Sequence, residues 1–132
     1  MNNLHRFIEH TLLRPDAGDK DIRKVVEEAI EYQFIGVCIP PFWVKLAGSL
    51  LQDHDVQLVT VAGFPFGNNM TETKLAEIRQ AIKDGADEVD IVWNLSAYKS
   101  DMSWTKTDIA RCAALLHEHE KILKVIIETA LL

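Results

Sequence analysis

Several features are scarce in this 132-residue sequence, and each shortage removes a class of function. No apolar run approaches the roughly 20 residues a bilayer-spanning helix needs. The opening MNNLHRFIEH has no signal-peptide core, so a cytoplasmic location and no membrane partner are expected. Basic residues are outnumbered, 14 Lys and Arg against 20 Asp and Glu, for a formal net charge of -6. A nucleic-acid-binding surface would need a clustered basic patch, so no nucleic-acid partner is expected. The only two cysteines, Cys38 and Cys112, fall in different expected elements without a short spacing. Two reduced thiols are expected rather than a disulfide. The five histidines are scattered. His117 and His119 lie two apart on an expected helix and point to different sides, so no metal site is read. Linkers, low-complexity segments and close repeats are missing as well. The length allows one domain, 1–132, with its own core and is too short for two.

What is present is a regular alternation of element types. Phe7–Leu12 is a short β-prone segment closed by Arg14-Pro15-Asp16-Ala17-Gly18. Asp19 can cap a helix to about Gln33, with Ile22, Val25, Val26, Ala29 and Ile30 on one face. Phe34–Ile39 reads as a strand, and Pro41 suits the first position of a helix carrying Val44, Leu46, Ala47, Leu50 and Leu51. Val56–Ala62 makes a third strand and Gly63–Gly67 a loop. Thr71 can cap a helix ending at Lys83, with Gly85 as a left-handed stop. Asp87–Trp93 is a fourth strand, Ser103–His119 a helix, and Ile122–Glu128 a fifth strand. Five strands alternating with four helices are repeated βα units, which build parallel sheets. The near-continuous apolar strands suit a sheet covered on both faces. An open doubly wound sheet and part of a (β/α)8 barrel both satisfy this pattern.

In either architecture ligands meet the C-terminal ends of the strands. The side chains expected there are Glu9, His10 and Thr11, then Cys38, the Gly63–Asn69 loop, Asp90 with Asn94, and Lys124 with Glu128. Asp90, Val92 and Asn94 alternate onto one face of strand four, and Lys124, Ile126 and Glu128 onto one face of strand five. A carboxylate in an apolar strand is tolerated if an ammonium faces it. Asp90 and Lys124 are therefore expected to pair on adjacent strands, either as a structural ion pair or as part of a site. Cys38 alone reads as a small buried hydrophobe. GFPFGNN lacks the spacing of a phosphate-binding loop, and Trp43, Trp93 and Trp104 read as packing residues.

IEHTLLRPDA, GVCIPP, VAGFPFGNN, GADEVDIVWN and LKVIIETALL, in this order and at these distances, resemble deoxyribose-phosphate aldolase from about Phe7 to the last residue. The resemblance implies the first five strands of a (β/α)8 barrel and a class I aldolase. Such an enzyme joins acetaldehyde reversibly to glyceraldehyde 3-phosphate through a lysine Schiff base, giving 2-deoxyribose 5-phosphate, without metal or other cofactor. The family aspartate matched by Asp90 shuttles protons at the carbinolamine and enamine stages. The lysine matched by Lys124 lies in the same polar cluster, so Asp90 and Lys124 are the implied catalytic positions. Glu9, Thr11 and Cys38 are the candidate substrate contacts, although the family usually has Asp at the position of Glu9.

The family's Schiff-base lysine lies in a K-T-S-T-G type motif on strand six, and its second lysine on strand seven. Neither that motif nor the phosphate loops of the last strands occur here. The chain is therefore expected to be an N-terminal portion of such an aldolase, inactive alone. Lys124 is not expected to replace the missing nucleophile, because an amine beside Asp90 would be held charged. A self-assembling partial-barrel module and a weak amine catalyst using Lys124 are the alternatives. The expected ligand is a small phosphorylated sugar or aldehyde. Five of eight strands would leave two open edges and an exposed inner face, including Val61 and Val92, so a homodimer or higher homo-oligomer is expected.

Overall fold

A computed structural model describes residues 3–132. Five strands alternate with helices: β1 (Glu9–Thr11), α1 (Asp19–Glu31), β2 (Gly36–Cys38), α2 (Val44–Leu50), β3 (Gln57–Ala62), α3 (Thr71–Asp84), β4 (Glu88–Val92), α4 (Leu95–Lys99), α5 (Trp104–Glu118) and β5 (Ile122–Ile126). Short 3-10 turns cover Leu4–Phe7, Pro41–Trp43 and Thr129–Leu131. Every expected strand and helix is present, generally trimmed at its ends. The one element beyond the expected order is α4, a five-residue helix between β4 and α5. Phe7 belongs to a 3-10 turn rather than to β1.

The strand order is β1-β2-β3-β4-β5, all neighbours parallel. A doubly wound sheet reverses its order at a switch point, and no reversal occurs. The helices lie against one side of the sheet. Val37, Ile39, Leu58, Ala62, Val89 and Ile91 form one buried cluster with Ile22, Val26 and Ala29 of α1, Ala47 of α2, Ile78 of α3 and Leu116 of α5. The other side is concave. Laid flat, four inter-strand spacings would put β1 and β5 about 19 Å apart, beyond the combined reach of a glutamate and a lysine. Yet Lys124 Nζ on β5 lies 2.8 Å from Glu9 Oε1 on β1. Curvature of that degree belongs to a barrel wall, so the chain forms five consecutive strands of a (β/α)8 barrel, the first four each followed by its helical crossover.

Local chemistry explains the element ends. The N-cap of α1 is Gly18 rather than Asp19, and its N–H donates to Asp21 Oδ2 at 3.0 Å. Thr71 likewise opens α3 as its first residue, after Met70, and its hydroxyl is committed to Asp108 instead of the helix end. Gly85 stops α3 as expected, at φ +106°, donating its N–H to Ala81 O. Such an angle is strained for any residue with a Cβ.

The inner face is less open than the sequence suggested. Val61 and Val92 are only 4% and 2% exposed. Curling brings Cys38, Val59 and Val61 together with Leu13 packed against them. The Gly63–Asn69 loop leans on the end of β4, so close that a Cβ on Gly67 would fall 2.7 Å from Val92 Cγ1 and 2.2 Å from Trp93 O. Exposed apolar side chains include Ile122, at the start of β5 on the Lys124 face, and Ile127, Leu131 and Leu132 beyond the end of β5.

Candidate active site

The register sets which side chains share the concave face. Glu9 pairs with Gly36 and Thr11 with Cys38; Val59 pairs with Glu88 and Val61 with Asp90; Asp90 pairs with Lys124. Alternation along each strand then aims Glu9, Thr11, Cys38, Glu88, Asp90 and Lys124 inward. Gly36 leaves the gap across which Glu9 extends; a Cβ there would lie 3.4 Å from Glu9 Cγ.

Lys124 is the centre of the cluster. Its ammonium donates to Glu88 Oε2 at 2.7 Å and to Glu9 Oε1 at 2.8 Å, and sits 3.0 Å from Asp90 Oδ1. The expected Asp90–Lys124 pair is therefore present, extended by two further carboxylates. Burial alone would lower the Lys124 pKa, but its hydrogen bonds to Glu88 and Glu9 and the Asp90 charge outweigh this and hold it above the ordinary lysine range. Asp90 moves the opposite way from a simple ion-paired acid. Burial, helped by the Glu88 charge, raises its pKa against the pull of Lys124. Its contact with Lys124 is close but poorly aligned, and Asp90 Oδ1 is buried without a hydrogen bond. The cluster thus pairs a protonated amine with a carboxylate that burial makes costly to ionise. That arrangement suits holding or passing a proton, not nucleophilic attack by Lys124.

Cys38 is buried on the same face, and burial followed by the Asp90 and Glu9 charges pushes its thiol up to about 12. A thiol so hard to ionise is a weak nucleophile. Thr11 shares the face but is exposed, its hydroxyl donating to Glu9 O at 3.0 Å. Three other strand-end residues lie elsewhere. His10 faces the helix side, with Nε2 2.6 Å from Glu28 Oε2 and its ring 5.3 Å from that of Phe34. Asn94 lies beyond β4 as the N-cap of α4, its Oδ1 accepting from the Ala97 N–H at 3.0 Å. Glu128 is past the end of β5, at φ +55° and exposed, so it does not share the Lys124 face. Among the described residues no group of three or more His, Cys, Asp or Glu side chains is arranged to hold a metal ion.

A profile of the DeoC/LacD family aldolases matches residues 7–132. The chain belongs to the DeoC/LacD aldolase family. It is similar to deoxyribose-phosphate aldolases from Streptococcus gordonii, 48% identical over 130 residues, and Brevibacillus brevis, 47% identical over 131 residues. Each alignment takes in 98% of this chain and 58% of the relative, so the chain spans little more than half the length of the curated relatives it matches. Among solved structures, the tetrameric deoxyribose phosphate aldolase of Aeropyrum pernix superposes with a TM-score of 0.89 at 31% identity, covering 98% of this chain and 54% of that one. A second solved aldolase superposes with a TM-score of 0.93 at 35% identity, covering all of this chain and 58% of that one.

Glu88 and the buried Lys74–Asp108 pair were not expected from the sequence. Glu88 shares its face with Asp90 by the same alternation, two residues nearer the start of β4 and away from the C-terminal strand ends. Lys74 and Asp108 form a fully buried ion pair of 2.6 Å between α3 and α5. The helical spacing Thr71, Lys74, Leu75, Ile78 and Ala81 does place Lys74 on the buried face of α3, and Thr105, Asp108, Cys112 and Leu116 do the same for Asp108.

Proposed function

We propose that this chain carries the proton-handling part of a deoxyribose-phosphate aldolase site. The full site would cleave 2-deoxyribose 5-phosphate to glyceraldehyde 3-phosphate and acetaldehyde through an imine on a lysine outside these 132 residues. In this reading Asp90 takes and returns protons during imine formation and carbon–carbon cleavage. Lys124 contacts the Asp90 carboxyl and opposes the burial that raises its proton affinity. Glu9, Thr11 and Cys38 line the space for a small phosphorylated sugar or aldehyde. The cytoplasm is the proposed compartment and a homo-oligomer the proposed assembly. No helix among the described residues is long and apolar enough to cross a membrane.

The supporting observation is the convergence of Glu9, Glu88 and Asp90 on one ammonium. An amine acting as nucleophile must be neutral, which calls for an apolar pocket or a neighbouring cation. Three carboxylates do the reverse. By itself the chain then forms no imine and cleaves no substrate. Incubation with acetaldehyde followed by borohydride reduction, read by intact mass and peptide mapping, tests this. Unmodified Lys124 is expected. A reduced ethyl adduct on Lys124, absent from Lys124→Met, would overturn the assignment.

A further inference from the structure

Lys74 sits outside the concave face and takes no part in the chemistry above, yet it is 0% exposed and is the largest fully buried side chain. Its ammonium donates to Asp108 Oδ2 at 2.6 Å and to the carbonyl of Val92 at 2.9 Å. The second Asp108 oxygen accepts from the Thr71 hydroxyl at 2.8 Å. Val92 is the last residue of β4, one beyond the final β3–β4 pair of Ala62 with Ile91. There β3 has already turned away at Gly63, φ +60°, and the Lys74 ammonium supplies a donor to the carbonyl. The Lys74 stem also supports that turn: a Cβ on Gly63 would fall 2.8 Å from Lys74 Cε. One buried amine therefore touches the end of β4 and the start of the β3–α3 loop, and that loop leans through Gly67 on Val92 and Trp93.

Stability does not account for such a pair, because apolar residues of similar volume often serve as well or better in a core. What an ion pair supplies is a direction: an ammonium fixed by Asp108 and Thr71 can grip one carbonyl. We infer that Lys74, aligned by Asp108 and Thr71, is a positioning residue that anchors the C-terminal end of β4 and thereby sets the depth at which the Asp90 carboxyl sits in the concave site. This deepens the proposed function and rests on the role given there to Asp90.

The test replaces the pair without changing net charge, Lys74→Met with Asp108→Leu, and follows the Asp90 side-chain carboxyl by NMR across pH. Glu9, Glu88, Cys38 and Lys124, the groups facing Asp90, stay in place, and equal and opposite charges are removed. A purely structural role would change the unfolding midpoint and leave the Asp90 titration where it was. Anchoring predicts that β4 loosens at its end, that water reaches Asp90, and that its titration midpoint falls by on the order of one pH unit. Exchange of the Trp93 amide, which donates to Ile126 O, should quicken about tenfold or more while global unfolding stays cooperative. An unchanged Asp90 midpoint in the folded variant would overturn the inference. If the pair replacement does not fold, Thr71→Val decides by the same titration, a downward shift supporting the anchor and no shift refuting it. The readout reports where Asp90 sits and not whether an imine forms, so the acetaldehyde experiment and this one fail independently.

Discussion

Lys74 and Lys124 each hold an ammonium against carboxylate oxygens, at 2.6 Å in one case and at 2.7 to 3.0 Å in the other. Their surroundings differ in every other respect. Lys74 has one carboxylate partner, a backbone carbonyl and no exposure, wedged between two helices. Lys124 has three carboxylates around it, is 38% exposed at its side chain, and lies on the concave face. The first cluster is neutral in formal charge and closed. The second carries an excess of negative charge and is open on one side. A closed, balanced cluster can only hold backbone in place, whereas an open, unbalanced one can exchange a proton with something that arrives. Under the proposed function, the difference between structural and chemical use of the same side chain lies in stoichiometry and access, not in the ion pair itself.

The sharpest way to break this contrast is to remove one partner of the closed cluster. Asp108→Ala strands the Lys74 ammonium in the core and should destabilise the chain by about 3–5 kcal/mol in chemical denaturation. If the loss is below about 1 kcal/mol, water reaches Lys74 and the cluster is not closed. Next in size is Gly67→Ala, which tests the contact between the loop and the end of β4. Its backbone angle of φ +71° and the 2.2 Å approach to Trp93 O leave no room for a methyl group. A loss of about 2–3 kcal/mol is expected from strain and displacement, with the change in amide shifts centred on Val92 and Trp93.

Lys124→Met should be milder despite leaving three carboxylates without their cation, because solvent screens a part-exposed cluster. The expected loss is about 1–2 kcal/mol at neutral pH, and it should shrink in acid as the carboxylates take up protons. A loss as large as that of Asp108→Ala would mean the two clusters are not distinct in kind. The smallest effect is expected of Asp90→Asn. Asp90 is disfavoured as an anion in the fold, so its favourable contribution is complete below its ordinary pKa of 3.8 and is lost as pH rises through its higher folded value. Asp90→Asn should therefore gain stability relative to the parent as pH rises across that window, by less than about 1 kcal/mol. A relative loss over the same window would show that pairing with Lys124, not burial, dominates at Asp90.

Much of this contrast was visible in the sequence on one side and hidden on the other. Asp90 and Lys124 announce themselves as lone charges in apolar strands, and a two-residue period with sequential strand order suffices to make them neighbours. Glu9 and Lys124 were both candidates but their contact was not expected, because β1 and β5 meet only when the sheet curls, and curvature has no local sequence signature. The choice between a doubly wound sheet and a barrel was open for the same reason until family resemblance entered. Lys74 and Asp108 look like ordinary surface charges on amphipathic helices; only the phase of the apolar stripe betrays them. Asn94 read as a strand-face residue because α4, a five-residue helix, is too short to show periodicity, so its capping role was hidden.

The central claim is that Lys124 is locked as a cation and is not a nucleophile. Its ammonium can be followed directly, through the Lys124 Cε and Nζ resonances in a heteronuclear NMR titration of the folded chain. The account predicts a single titration above the ordinary lysine value of 10.5, with the side chain fully protonated at neutral pH. A midpoint below 10.5 in the folded chain would contradict it, because carboxylates at the observed distances can only raise the proton affinity of an amine they surround.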